Sequence, residues 1–172
     1  MTDCTFNSRF IKQAFDCLKK NRFKLITAES LTGGLIACGF TQFSGASEVV
    51  WGGFVTYSPQ AKTALLGVDK IIIERYGAVS AETARAMALG AFNAVPAAIR
   101  QIYNFIAVSV TGVAGPGTLE GKKAGTVFMG LTYPHNNSVI TKTKEFYFEG
   151  DRNQIRLLTA ESAAKEILIL FA

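Results

Sequence analysis

Residues 28–34 read Ala-Glu-Ser-Leu-Thr-Gly-Gly and follow the apolar run Phe23-Lys24-Leu25-Ile26-Thr27. Ser30 and Thr32 supply hydroxyls and Glu29 a carboxylate. Gly33 and Gly34 leave the backbone bare where a helix resumes, so N–H groups there favour an anion or a developing oxyanion. A serine that attacks a carbonyl needs a base. The single histidine, His135, sits in the polar run Pro134-His135-Asn136-Asn137 and reads as a solvated turn residue. A Ser-His-Asp or Cys-His arrangement therefore lacks its imidazole. Lys62 is the alternative. It lies one turn into a helix that Ser58 caps and Pro59 starts. A buried lysine gives up its proton near neutral pH and can act as the base. Tyr57, just before that helix, can relay a proton or orient the amine.

Two further segments could complete such a site. Ser109-Val110-Thr111-Gly112-Val113-Ala114-Gly115-Pro116-Gly117 carries a strand into a glycine-rich loop, and ligands of open α/β sheets bind outside the carboxyl ends of strands. Thr111, Gly112 and Gly115 are its candidate ligand contacts. Gly150-Asp151-Arg152 opens the final helix, with Asp151 as cap and Arg152 as a fork-shaped anion clamp. Other patterns are weaker. GPGTLEGK (115–122) has the wrong glycine spacing for a phosphate-binding loop. Ser162-Ala163-Ala164-Lys165 lies mid-helix without the partner motifs of the penicillin-binding enzymes. Cys38 falls in a small-residue helix, where a buried, inert thiol is expected.

These residues need a scaffold. Helical spacing predicts helices over 5–20, 35–41, 59–67, 69–75, from Ser80 to about 95, and 151–171. The last is expected to turn Leu157, Ala160, Ala164, Ile167 and Phe171 inward. Strands are expected over 23–27, 48–57, 104–111, 125–133 and 139–148, the last two joined by a turn at PHNN as an antiparallel pair. The glycines of VVWGGFVTY mark a bulge or a close backbone approach. The stripe Ala81, Ala84, Ala88, Ala91, Val95 reads as close packing on a sheet. The order predicts an α/β fold, a mixed sheet with helices on both faces.

A length of 172 residues with 49% hydrophobic and 18% charged residues suits one domain with a full core. Three cysteines without a CxxC pairing suggest reduced thiols and a cytoplasmic protein. There is no basic-then-apolar leader pattern and no apolar run of the ~18 residues a membrane span needs. The net charge of +5 is scattered rather than striped. Neither nucleic acid nor a membrane is expected as a partner, and no His or Cys cluster suggests a metal.

The segments TAESLTGG, GASEVVWGGFVTYSPQAK, YGAVSAETARAMALGA, VSVTGVAGPG and FEGDRNQIRLLTA, in this order, resemble the C-terminal domain of competence-damage protein CinA across roughly residues 8–165. The resemblance implies a single domain over 1–172, a three-layer α/β/α sandwich with a mixed, mostly parallel sheet and one late antiparallel hairpin. It implies an amidohydrolase that deamidates nicotinamide mononucleotide to nicotinic acid mononucleotide and ammonia, in pyridine nucleotide recycling. No metal or organic cofactor is implied, and a homo-oligomer, commonly a dimer, is. By motif, the catalytic candidates are Ser30, Ser47, Tyr57 and Lys62. Ser30 and Ser47 are rival nucleophiles, and Lys62 is the base. Thr111, Gly112 and Gly115 come from the glycine loop, and Arg152 binds the phosphate or another anionic feature. Many relatives read AGPGGG where this chain turns to Gly117-Thr118-Leu119-Glu120-Gly121-Lys122-Lys123. That change bears on substrate affinity. The molybdopterin-binding-like domain of full-length relatives is not in these residues, so its nucleotide-pyrophosphatase activity is not expected of them. The remaining alternatives are a non-catalytic binding module of the same fold, a hydrolase of another small amide, and a cysteine amidase using Cys38.

Overall fold

A computed structural model describes residues 8–172. Phe6, Cys4 and the first residues of the expected 5–20 helix lie outside them. The elements run α1 (Arg9–Lys20), β1 (Phe23–Glu29), α2 (Leu35–Thr41), a 3-10 turn (Ala46–Glu48), β2 (Val50–Val55), α3 (Pro59–Leu66), α4 (Lys70–Tyr76), α5 (Ala81–Ala94), α6 (Ala97–Arg100), β3 (Asn104–Gly112), β4 (Thr118–Leu119), β5 (Lys122–Lys123), β6 (Thr126–His135), β7 (Ser138–Tyr147) and α7 (Arg152–Ile169). The short helix α6, the 3-10 turn and the β4–β5 hairpin carry too few residues to leave a periodic signal.

The main sheet has the order β2-β1-β3-β6-β7. β1 is parallel to β2 and β3, while β6 runs antiparallel to both β3 and β7. Only β6 is therefore reversed among the five. Alternation along β1 and β3 assigns the two faces. Leu25, Ile106, Val108 and Val110 pack with Ile11, Phe15 and Leu18 of α1, Ile36 and Phe40 of α2, and Ile155, Ala163 and Ile167 of α7. On the other face Ile26, Ala28, Phe105 and Ala107 meet Leu66 of α3 and Met87, Ala91 and Phe92 of α5, with Ile73 of α4 at the rim. The result is the expected three layers. Each buried Leu, Ile or Phe side chain contributes about 1.5–3 kcal/mol.

Caps fix where the helices begin. Ser58 Oγ accepts from Ala61 N, Ser80 Oγ from Thr83 N, and Asp69 Oδ1 from Ile71 N. Asp151 and Gln154 form a reciprocal capping box at α7. In α7 the inward face carries Ile155, Ala160, Ala164 and Ile167, whereas Leu157, expected to face inward, is exposed. Pro134 and His135 belong to β6, and only Asn136 and Asn137 form the turn, both with positive φ. His135 is exposed there.

Two close approaches explain small residues. A Cβ at Gly53 of β2 would strike Thr27 Oγ1, beside a register shift between Leu25 and Ile26. A Cβ at Gly130 of β6 would lie 2.5 Å from the Ala84 carbonyl oxygen and 2.8 Å from Ser109 Oγ. The alanine stripe of α5 thus lets its backbone rest directly on the sheet, and Ser109 Oγ donates to that same Ala84 carbonyl at 2.6 Å. Gly130→Ala is expected to cost about 1–3 kcal/mol by overpacking. At about 2–4 °C per kcal/mol for a chain of this size, thermal unfolding of the purified variant should show it.

Candidate active site

β1, β2 and β3 are parallel, so their carboxyl ends lie together. β6, being reversed, begins at that same end, where Val127 pairs with Gly112. β7 ends there too and leads into α7. Five separate stretches meet at this edge: Ser30–Gly34, Thr56–Lys62, Gly112–Lys123, Gly125 and Gly150–Arg156.

Alternation at the end of β1 sends neighbouring residues to opposite faces. Glu29 is fully buried on the α2 side. Its carboxylate accepts from the N–H groups of Gly34 and Ile36 at 3.0 Å and of Ala37 at 2.9 Å. The helix start expected to attract a substrate anion is therefore occupied by the protein's own acid. Glu29 is a buried cap of α2, because α2 has no side-chain cap at Gly34. Gly33 and Gly34 have φ of 62° and 96°, the left-handed turn that brings the chain from β1 into α2.

Ser30 points the other way, into the layer of α3. The Lys62 Nζ lies 3.0 Å from Ser30 Oγ. The amine also donates to the Thr56 carbonyl at 2.8 Å and to the Tyr57 carbonyl at 3.4 Å. Lys62 is 1% exposed and Ser30 7%. Burial pulls the lysine pKa down to about 8, and the Glu120 carboxylate opposes part of that fall.

The other expected residues divide. Tyr57 touches the lysine only through its carbonyl. Its phenol is exposed and accepts from Arg152 Nη2 at 2.8 Å, because strand alternation turns Thr56 inward and Tyr57 outward. Arg152 Nη1 donates to the Gly115 carbonyl at 2.8 Å. A cavity of about 180 Å³ lies here, lined by Tyr57, Gly112, Ala114, Gly115, Thr118, Leu119 and Arg152 among others. A larger groove of about 480 Å³ lies between Pro59, Thr63 and Ala64 of α3 and Lys70, Ile73 and Glu74 of α4. Neither cavity is lined by Ser30 or Lys62 themselves; the smaller one adjoins them through Tyr57.

Thr111 does not face this cavity. It is buried, and its Oγ1 donates to the Ala78 carbonyl at 2.7 Å, tying β3 to the segment before α5. Thr32 is also fully buried, and its hydroxyl has no hydrogen-bond partner among the described residues. Ser47 stands apart. It precedes β2, which runs parallel to β1, so it lies at the amino ends of the strands, exposed, with its carbonyl accepting from Lys24. The length of β2 separates it from Lys62. Cys38 is exposed rather than buried, on the outer side of α2.

Arg156 was not picked out from the sequence. It sits one turn after Arg152 on α7, and its Nη2 donates to the Thr32 carbonyl at 2.9 Å. The i, i+4 spacing of two arginines after a cap was the available signal.

The arrangement pairs a partly desolvated amine with a serine hydroxyl and sets Arg152 beside a small cleft, with Arg156 one turn further along α7. A model of the CinA C-terminal domain matches residues 7–171. The chain belongs to the CinA C-terminal domain family. A CinA-like protein of Geobacter sp. (strain M21) is 43% identical over 148 residues, 85% of this chain and 33% of that protein. The chain spans about a third of the length of the curated relatives it matches. Among solved structures, competence/damage inducible protein CihA from Agrobacterium tumefaciens superposes with a TM-score of 0.80 at 36% identity, covering 95% of this chain and 94% of that one. The competence damage-inducible protein A of Klebsiella pneumoniae gives 0.81 at 27% identity, with 92% of each chain covered. No described helix is long and apolar enough to cross a membrane.

A buried amine is a cost to the fold, since its charged form is desolvated. Lys62→Met should leave the melting temperature at or above that of the parent. Glu29→Gln should lower it, because it weakens three backbone bonds to a carboxylate, each worth about 1.5–3 kcal/mol. Thermal scans of the two variants side by side check both signs.

Proposed function

We propose that this chain is a serine–lysine amidohydrolase whose substrate is nicotinamide mononucleotide. The observation that carries the reading is the 3.0 Å contact between Lys62 Nζ and Ser30 Oγ in a buried setting. With its pKa near 8, roughly a tenth of Lys62 is neutral at pH 7. In that form the two N–H bonds go to the carbonyls of Thr56 and Tyr57, and the lone pair faces the serine hydroxyl.

Ser30 Oγ attacks the carboxamide carbon as its proton passes to Lys62. The carbonyl oxygen takes the negative charge. The amides of Leu31 and Thr32, next to the nucleophile, are its donors, since those of Gly34, Ile36 and Ala37 are already bound to Glu29. Lys62 then returns the proton to the nitrogen, the C–N bond breaks, and ammonia leaves an acyl-serine. Water, deprotonated by the same amine, hydrolyses the ester and releases the carboxylate. The pyridinium ring makes the carboxamide electrophilic. The 5′-phosphate gives a remote anionic handle for Arg152 and Arg156, whose binding energy aligns the amide.

The test is ammonia release from nicotinamide mononucleotide, with other small amides in parallel. Ser30→Ala and Lys62→Ala should each lose at least roughly 10³-fold in kcat/KM. Ser47→Ala should retain parental turnover. Activity requires the neutral amine, so the rate should climb with pH, reach half its plateau near pH 8, and fall away below it. Full activity in Ser30→Ala, or a flat profile from pH ~6 to ~9, ends this reading.

A further inference from the structure

The hairpin β4–β5 turns at Glu120 and Gly121, with φ of 51° and 73°. Glu120 thus holds a left-handed conformation that is unfavourable for a residue with a side chain. Its carboxylate reaches the segment before α5, where Oε1 accepts from Ala78 N and Oε2 from Val79 N, both at 3.0 Å. The receiving segment leads into Ser80, the cap of α5, so the helix start adds to the attraction. It is also firmly held. Thr111 Oγ1 donates to the Ala78 carbonyl, and Ser80 Oγ and Thr83 Oγ1 both donate to the Gly77 carbonyl. Gly77 has φ of 88°, and a Cβ there would run into the Glu120 carboxylate. The landing place is kept clear by the absence of a side chain.

What this carboxylate fixes is the cleft itself. Thr118 and Leu119, the strand just before it, line the cavity together with Tyr57 and Arg152. We propose that Glu120 is a positioning residue: its two-pronged bond to the Ala78 and Val79 amides latches the β4–β5 hairpin shut and holds Thr118 and Leu119 as the substrate-facing wall. The proposal rests on the amidohydrolase reading for the identity of that substrate. The same carboxylate acts on the base through space. It favours the ammonium form of Lys62 and so holds the amine's titration higher than burial alone would.

Glu120→Gln and Glu120→Ala in the full chain test this. Without substrate, hydrogen exchange at the amides of residues 78 and 79 should accelerate at least roughly 10-fold in Glu120→Ala. With nicotinamide mononucleotide, KM should rise about five-fold while the plateau kcat stays within about two-fold. The acid limb of the pH profile should move to lower pH in both variants, because a negative neighbour of the lysine is gone. Unchanged exchange at 78 and 79 overturns the latch. Faster exchange with an unchanged KM overturns the wall. A fall in kcat that tracks a lowered melting temperature reduces the residue to a structural one and also overturns it. Should the parent protein release no ammonia, the functional reading fails, while exchange at 78 and 79 and an NMR titration of Lys62 still decide the latch.

Discussion

The site depends on an amine shielded from bulk water. Lys62 is held by the carbonyls of Thr56 and Tyr57 and by Ser30 Oγ, and among the described residues no carboxylate is bonded to it. Neutral acceptors satisfy its N–H bonds without stabilising its positive charge as an ion pair would. That balance is what the proposed role of Lys62 as a base requires. A carboxylate at bonding distance would keep the amine protonated. An open cleft would do the same through hydration.

The scaffold explains how this is sustained. Lys62 belongs to α3, and α3 crosses α5 at Gly90, where a Cβ would collide with the Leu66 carbonyl. Ser30 is the first residue after β1, and its own N–H still bonds the Val110 carbonyl of β3 at 3.0 Å. Both partners therefore hang from the central sheet rather than from free loops, and their separation is set by core packing. The cleft side is different. Arg152, Gly115 and Tyr57 are joined through exposed groups. The arrangement combines a core-held Ser30–Lys62 pair with a rim joined through exposed groups.

Much of this was legible in the sequence. The three layers followed from alternating strand and helix periods, and the caps Ser58, Ser80 and Asp151 mark helix starts that the structure shows. Ser30 and Lys62 could be paired because the chain has no usable imidazole. What could not be read was the face each residue takes. Glu29 and Thr111 looked like ligand contacts because they stand at strand ends, yet both point into packed layers and spend their polar atoms on the backbone. Ser47 looked plausible in sequence, but the parallel pairing of β2 with β1 carries it to the far end of the sheet. The role of Glu120 depends on a contact spanning 42 positions, which no local pattern records.

One peptide bond separates Glu29 from Ser30, and the pleat sends them into different layers. A slip of β1 by a single residue would exchange their environments. The acid would then come up beside Lys62 and hold it protonated in a salt bridge, while α2 lost its cap. Under the proposed chemistry, fidelity of strand pairing in the centre of the sheet is itself a condition for activity, and a chain mispaired in that way would be inert rather than merely unstable.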